Sequence, residues 1–183
     1  MSLQFKRLEI PDVQLVTPTV RGDDRGFFIE SFKASEMAAA GMPSEFMQDN
    51  QSHSSKNILR GLHYQLDPKA QGKFVRVVAG EIFDVCVDLR KSSKWFGKWV
   101  GARLSDSNFQ MLYVPPGFAH GFVVISDVAE VLYKCTLEYS PTLERGIRWN
   151  DPELAIEWPV KSPLLSARDL AHPLFRDAEY NFS

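Results

Sequence analysis

Ile82-Phe83-Asp84-Val85-Cys86-Val87-Asp88-Leu89 alternates cleanly, with Val85, Val87 and Leu89 opposite Asp84, Cys86 and Asp88. Successive side chains of an extended chain point to opposite faces, and β-branched residues favour that conformation. The octet therefore reads as a strand. Ala79-Gly80-Glu81 supplies a turn before it, and Phe74-Val75-Arg76-Val77-Val78 a second strand before the turn. Further out, the same composition recurs in Phe27-Phe28-Ile29-Glu30-Ser31-Phe32, in residues 99–104 and 111–114, in Gly121-Phe122-Val123-Val124-Ile125 and in residues 131–137. Pro115-Pro116-Gly117 and Ser140-Pro141 separate them. Helical signals are few: residues 35–40 closed by Gly41, and one or two short turns from Ser166 onward. Many short strands with regular turns predict a mainly β, antiparallel sandwich or barrel, able to hold one small ligand in its mouth.

Composition narrows the function classes. The chain has 183 residues, 44% hydrophobic and 24% charged, which suits one domain with a sizeable core. A net charge of −2 gives no general attraction to nucleic acid or to an anionic membrane. The first residues lack the apolar stretch of a signal peptide, and no run approaches the roughly 18 apolar residues of a membrane helix. Cys86 and Cys135 lie far apart in apolar runs and read as buried free thiols, consistent with the cytoplasm.

The densest polar cluster is Arg60-Gly61-Leu62-His63-Tyr64-Gln65, followed by Gln71-Gly72-Lys73-Phe74-Val75-Arg76. As a strand, residues 60–65 place Arg60, Leu62 and Tyr64 on one face and Gly61, His63 and Gln65 on the other. Spacing alone does not separate a base from a satisfied core histidine at His63, nor an active cation from a solvated lysine at Lys73. Tyr133 shares a face with Val131, Cys135 and Leu137, as a core tyrosine or as a phenol held in a cavity. His120 follows Pro115-Pro116-Gly117-Phe118-Ala119 and is either a turn-capping residue or a cavity residue. Asp169 lies three residues after Ser166, a capping-box pattern sufficient to explain it locally. Asp23-Asp24-Arg25-Gly26 reads as a polar turn. His53, His63, His120 and His172 show no H-x-H or H-x-x-x-H spacing, and neither a Walker loop nor a G-x-G-x-x-G fingerprint is present.

Taken in order, Gly22-Asp23-Asp24-Arg25-Gly26-Phe27-Phe28, Gln48-Asp49-Asn50, Lys56-Asn57-Ile58-Leu59-Arg60-Gly61-Leu62-His63-Tyr64-Gln65 and Gln71-Gly72-Lys73 resemble one enzyme family. So do Gly80-Glu81-Ile82-Phe83-Asp84-Val85, Asp88-Leu89-Arg90, Pro116-Gly117-Phe118-Ala119-His120-Gly121-Phe122, Tyr133-Lys134, Trp149-Asn150-Asp151, Ile156-Glu157-Trp158-Pro159 and Leu165-Ser166-Ala167-Arg168-Asp169. The family is that of the dTDP-4-dehydrorhamnose 3,5-epimerases. Each match alone is weak; the ordered set is specific.

The resemblance implies a cupin-like jelly-roll barrel with a few short helices. It implies one domain over 1–183, with a barrel core at roughly 45–160 and N-terminal strands and C-terminal helices packed on it. It further implies a homodimer, no metal and no organic cofactor. The substrate would be a dTDP-linked 4-keto-6-deoxyhexose, epimerised at C3 and C5, or at one of them in a single-site relative. By the same resemblance His63 is the base, Asp169 its partner, Tyr133 the acid and Lys73 the cation near the C4 carbonyl oxygen. Arg25, Phe27, Glu30, Gln48, Asn50, Arg60, His120, Tyr139 and Arg168 would bind substrate. His172 and Arg21 receive no role, and His172 is expected at the surface. A metal-dependent cupin and a non-catalytic binding module are the competing classes.

Overall fold

In the computed structural model, which describes residues 1–183, the alternating segments become strands of two facing antiparallel sheets. Six strands form the first, in the spatial order β1 (Leu3–Arg7), β2 (Gln14–Pro18), β10 (Met111–Val114), β7 (Lys73–Ala79), β12 (Val128–Cys135) and β5 (Gln48–Ser55). Five form the second: β13 (Glu144–Gly146), β6 (Leu59–Gln65), β11 (Phe118–Val124), β8 (Glu81–Asp88) and β9 (Trp99–Ser105). Between β5 and β12 the chain changes sheet at every step except the β8–β9 hairpin, which is jelly-roll interleaving. The predicted barrel is realised as a sandwich: no strand is hydrogen-bonded into both sheets.

Apolar residues fill three layers. Between the sheets, Val75, Val77, Leu112, Val114 and Val131 meet Ile82, Cys86, Val100, Leu104, Phe118 and Phe122. Burying each large side chain contributes about 1.5–3 kcal/mol, so this layer is the main source of cohesion. Outside the five-stranded sheet, Leu62, Tyr64, Val85, Val87 and Leu89 are covered by Ile147, Leu154, Phe175 and Phe182 of the C-terminal segment. Outside the other sheet, Met37 and Met42 cover Phe74, Met111 and Tyr113.

The double covering explains β8. Its apolar face packs under the C-terminal segment, while Cys86 and Ile82 face the inter-sheet layer. Asp84 and Asp88 are fully buried there, so both need partners. Arg90 and Ser93 donate to Asp88, at 2.7 Å from Arg90 Nη2 and from Ser93 Oγ, and His120 contacts Asp84 at 2.8 Å. Both cysteines are free and buried, as read from their surroundings.

The short helix α1 (Ala34–Ala39) ends as the glycine predicts. Gly41 takes φ of 74°, and the N–H groups of Gly41 and Met42 bond at 3.0 Å to the Ala38 and Met37 carbonyls, a Schellman closure. The extended stretch expected over residues 27–32 pairs only at its start. There β3 (Arg21–Asp23) and β4 (Gly26–Phe28) make a small hairpin around the polar turn. No helix is long and apolar enough to cross a membrane.

Candidate active site

A bulge builds the site. His63 of β6 lies opposite His120 of β11, yet Arg60 lies opposite Phe122, so two residues on one strand, Gly61 and Leu62, face one on the other, Gly121. The extra residue reverses the alternation. Arg60, expected on the face opposite His63, therefore lines the same cavity as His63. Two glycines permit the contact: a Cβ at Gly61 would stand 2.6 Å from Gly121 Cα, and one at Gly121 would stand 2.8 Å from the Arg60 carbonyl oxygen.

His63 Nε2 lies 2.6 Å from Asp169 Oδ1. Asp169 sits in α2 (Ala167–Leu170), whose N-cap Ser166 accepts the Asp169 N–H at 3.1 Å. The local capping reading is thus correct for the backbone, while the Asp169 carboxylate turns away to His63. Burial pushes the Asp169 carboxyl upward, but the neighbouring His172 and His63 imidazoles outweigh it and hold the group well below the usual carboxylate range. An ionised carboxylate only accepts, so His63 carries its proton on Nε2 and presents its lone pair at Nδ1. Burial lowers the His63 pKa, the Asp169 bond opposes that, and the Lys73 charge adds to the lowering. The imidazole is neutral at neutral pH, the state a base requires.

His63, Lys73 and Tyr133 are shared walls of two adjoining lobes, of about 250 and 280 Å³. The first lobe is completed by Gln48, Asn50, Gln71, Tyr139 and Glu144, among others. Arg60, His120, Ser166, Arg168 and Asp169 complete the second. His63 and His120 come from the five-stranded sheet, Lys73 and Tyr133 from the six-stranded one. Lys73 makes no hydrogen bond or ion pair, and burial pushes its ammonium pKa down against the pull of Cys135, Asp84 and Glu144. Burial raises the Tyr133 phenol, so it is protonated at neutral pH and able to donate.

The remaining polar groups are already engaged. Gln48 Nε2 donates to Asn50 Oδ1 at 2.9 Å, and Gln48 Oε1 accepts the Tyr139 N–H at 2.7 Å. The Tyr139 hydroxyl and the Arg168 guanidinium converge on Glu144. Arg60 Nε donates to Ser54 Oγ at 3.0 Å. Glu144, Gln71 and Ser166 were not singled out as site residues in the sequence. Glu144 lies in a short edge strand with no local pattern to mark it, whereas Gln71 and Ser166 belong to the Gln71-Gly72-Lys73 and Leu165-Ser166-Ala167-Arg168-Asp169 motifs.

Arg25, Phe27 and Glu30 are not brought to this cavity. Arg25 bonds to Asp23 in the β3–β4 hairpin with its side chain 90% exposed. Phe27 is 60% exposed and meets Phe109 edge-on at 4.9 Å. Glu30 lies 3.8 Å from Lys33. His172 corrects an expectation: it is buried against Gly146, not at the surface.

His63, Asp169 and His172 offer donor atoms within 4.8 Å of one another, the one group resembling a metal-ligand set. Two ligands held at ~2.1 Å by a tetrahedral ion stand about 3.4 Å apart, so the 2.6 Å His63–Asp169 contact is a hydrogen bond. His63 and Asp169 are a hydrogen-bonded pair, with His172 Nε2 3.5 Å from the same oxygen.

A neutral, carboxylate-oriented imidazole on one wall, with a phenol and an unpaired ammonium on the other, defines a cupin-like jelly-roll enzyme of proton transfer. A family model described as dTDP-4-dehydrorhamnose 3,5-epimerase matches residues 7–177. The dTDP-4-dehydrorhamnose 3,5-epimerase of Shigella flexneri is 57% identical over 175 residues, covering 95% of this chain and 97% of that one. That of Pseudomonas aeruginosa is 55% identical over 179 residues, covering 97% and 98%. The crystal structure of dTDP-6-deoxy-D-glucose-3,5-epimerase from Legionella pneumophila, in complex with dTDP-4-keto-L-rhamnose, superposes with a TM-score of 0.90 at 46% identity, covering 94% and 92%. The chain belongs to the dTDP-4-dehydrorhamnose 3,5-epimerase family.

Proposed function

We propose that this cavity inverts C3 and C5 of dTDP-4-dehydro-6-deoxy-D-glucose, giving dTDP-4-dehydro-L-rhamnose for dTDP-L-rhamnose synthesis. The observation that carries the reading is the opposition of His63, held by Asp169, to Tyr133, with the unpaired Lys73 between the two lobes. His63 Nδ1 takes the proton from the carbon beside the ketone, and the C–H electron pair moves into the C4–O bond as an enolate. Lys73 stabilises that oxygen, an effect often worth ~3–4 kcal/mol per donor in a dry site. Tyr133 returns a proton to the opposite face of the same carbon. Proton exchange with solvent resets the pair, and the cycle repeats at the second carbon. Both steps need only proton transfer, so the reaction runs without metal or organic cofactor.

Arg60, Gln48, Asn50, His120, Tyr139 and Arg168 hold the nucleotide portion and the sugar rim. The exposed hairpin residues Arg25 and Phe27, with Glu30, serve the cavity of a second copy in a homodimer. The location is the cytoplasm, where Cys86 and Cys135 stay reduced.

The test is epimerisation in D₂O by chelator-treated protein, followed by proton NMR. Deuterium at both C3 and C5 is expected. Exchange at one carbon only would establish a single-site enzyme, and exchange that required added metal would establish a metallocupin. His63→Ala should bind dTDP normally and lose roughly 10²–10⁴-fold in turnover.

A further inference from the structure

Asp169 has a second imidazole neighbour that the proposed reaction leaves unused. His172 Nε2 lies 3.5 Å from Asp169 Oδ1, the same oxygen that His63 contacts at 2.6 Å. That nitrogen is buried and makes no hydrogen bond, Asp169 Oδ1 being the carboxylate oxygen within reach, and its ring stands edge-on to His63 with centroids 5.5 Å apart. The ring is held from two sides. Any Cβ at Gly146 would overlap it, so the glycine in β13 makes its berth. Arg148 then clamps the backbone around it, its N–H bonding the Pro173 carbonyl at 2.8 Å and its Nε the His172 carbonyl at 3.4 Å.

A buried, unpartnered polar nitrogen 3.5 Å from an ionised carboxylate is most stable with its proton on that nitrogen. We propose that His172 is a positioning residue for the base, directing Nε2–H at Asp169 so that one carboxylate oxygen is divided between two imidazoles. This rests on the reading of His63 as the base. The shared oxygen stays ionised and in place, yet it stabilises an imidazolium at His63 less than an undivided carboxylate does. His63 therefore remains neutral to lower pH. Its other charged or titratable neighbours are Lys73 on β7, Tyr133 on β12, His120 on β11, Glu144 on β13 and Arg60 and Arg168 beside it, and the substitutions below alter none of them.

Two substitutions separate the donor from the volume. His172→Leu fills the berth and removes the N–H; His172→Gln keeps an N–H at the same reach. The readouts are the His63 ring titration by NMR and the acid limb of kcat/KM. With Leu, the His63 midpoint and the acid limb move together to higher pH. Below that limb kcat/KM falls several-fold, while KM and the plateau kcat stay near wild type. With Gln both curves stay close to wild type. Equal shifts with Leu and Gln, or no shift with Leu, would overturn the proposal. In the unmodified protein, ¹⁵N shifts should show His172 protonated on Nε2; a proton on Nδ1 alone would overturn it even if the Leu variant failed to fold. A wild-type protein with no epimerase activity would refute the base assignment instead, and the His63 titrations would still decide the role of His172.

Discussion

Lys73 is a half-buried ammonium without a carboxylate partner, an arrangement that costs stability unless something else needs the charge. Replacing it with methionine should leave folding intact or improved. It should also cut kcat by about 10²–10³-fold, the loss of one preorganised donor to a developing oxyanion. Steady-state kinetics on the Lys73→Met variant beside a melting curve checks both halves. The wild-type pH profile should be bell-shaped. His63, with its lowered pKa, must lose its proton on the acid side, while the lowered Lys73 ammonium begins to deprotonate earlier than an ordinary lysine on the alkaline side. At this scale the sequence was only partly readable. Nothing local links His63 to a carboxylate 106 residues away, and only the family resemblance joined them. The Ser166 pattern was real as a cap but silent about where the carboxylate would point. Strand alternation misplaced Arg60 because the bulge at Gly61 and Leu62 adds a residue that no hydropathy pattern announces.

At the scale of elements, the β6–β11 pairing depends on two backbones touching through glycine. Gly121→Ala would push a methyl to within 2.8 Å of the Arg60 carbonyl oxygen. Overpacking of this kind typically costs 1–3 kcal/mol, and a domain of this size loses roughly 2–4 °C of melting temperature per kcal/mol. Calorimetry should show that loss, and KM for the nucleotide sugar should rise as Arg60 is displaced. The strands β7 through β12, read from their apolar and β-branched composition, each place apolar residues in the inter-sheet layer. β5 was not read as a strand, for a physical reason. Its sequence, Gln48-Asp49-Asn50-Gln51-Ser52-His53-Ser54-Ser55, has neither an apolar face nor β-branched residues. Eight consecutive backbone pairings with β12 make it a strand, and its polar side chains face the cavity or solvent.

For the whole molecule, the edges decide behaviour. The first strand is tied down by Glu36, whose carboxylate accepts the N–H groups of Ser2 and Leu3 at 2.9–3.0 Å. Those bonds draw its pKa from 4.5 to about 2. Because the folded value lies below the unfolded one, the stabilisation is complete above about pH 4.5 and disappears as pH falls toward 2. The protection factors of the β1 amides should fall across that interval, and Glu36→Gln should show the lower protection already at neutral pH. On the separate β3–β4 hairpin, Phe27 and Phe28 stand 60% and 62% exposed, an uncommon cost for a surface that meets only water. Phe27→Asp tests the proposed homodimer: it should sediment as a smaller species than wild type and raise KM, and a variant with unchanged sedimentation and KM would remove the hairpin from the site.

The placement of His63 and Tyr133 on separate sheets has a consequence for how such a molecule changes its chemistry. Packed sheets stand ~10 Å apart, a spacing set by the side chains of the whole inter-sheet layer. A hexose ring with one hydrogen-bond contact on each side fills a gap of about that width. The sandwich then works as a caliper closed on one substrate thickness. Mutation at the rim can turn or slide the sugar within the jaws, exposing one carbon or two, while the gauge itself stays set by the packing of Val75, Val77, Val131 and Ile82 between the sheets.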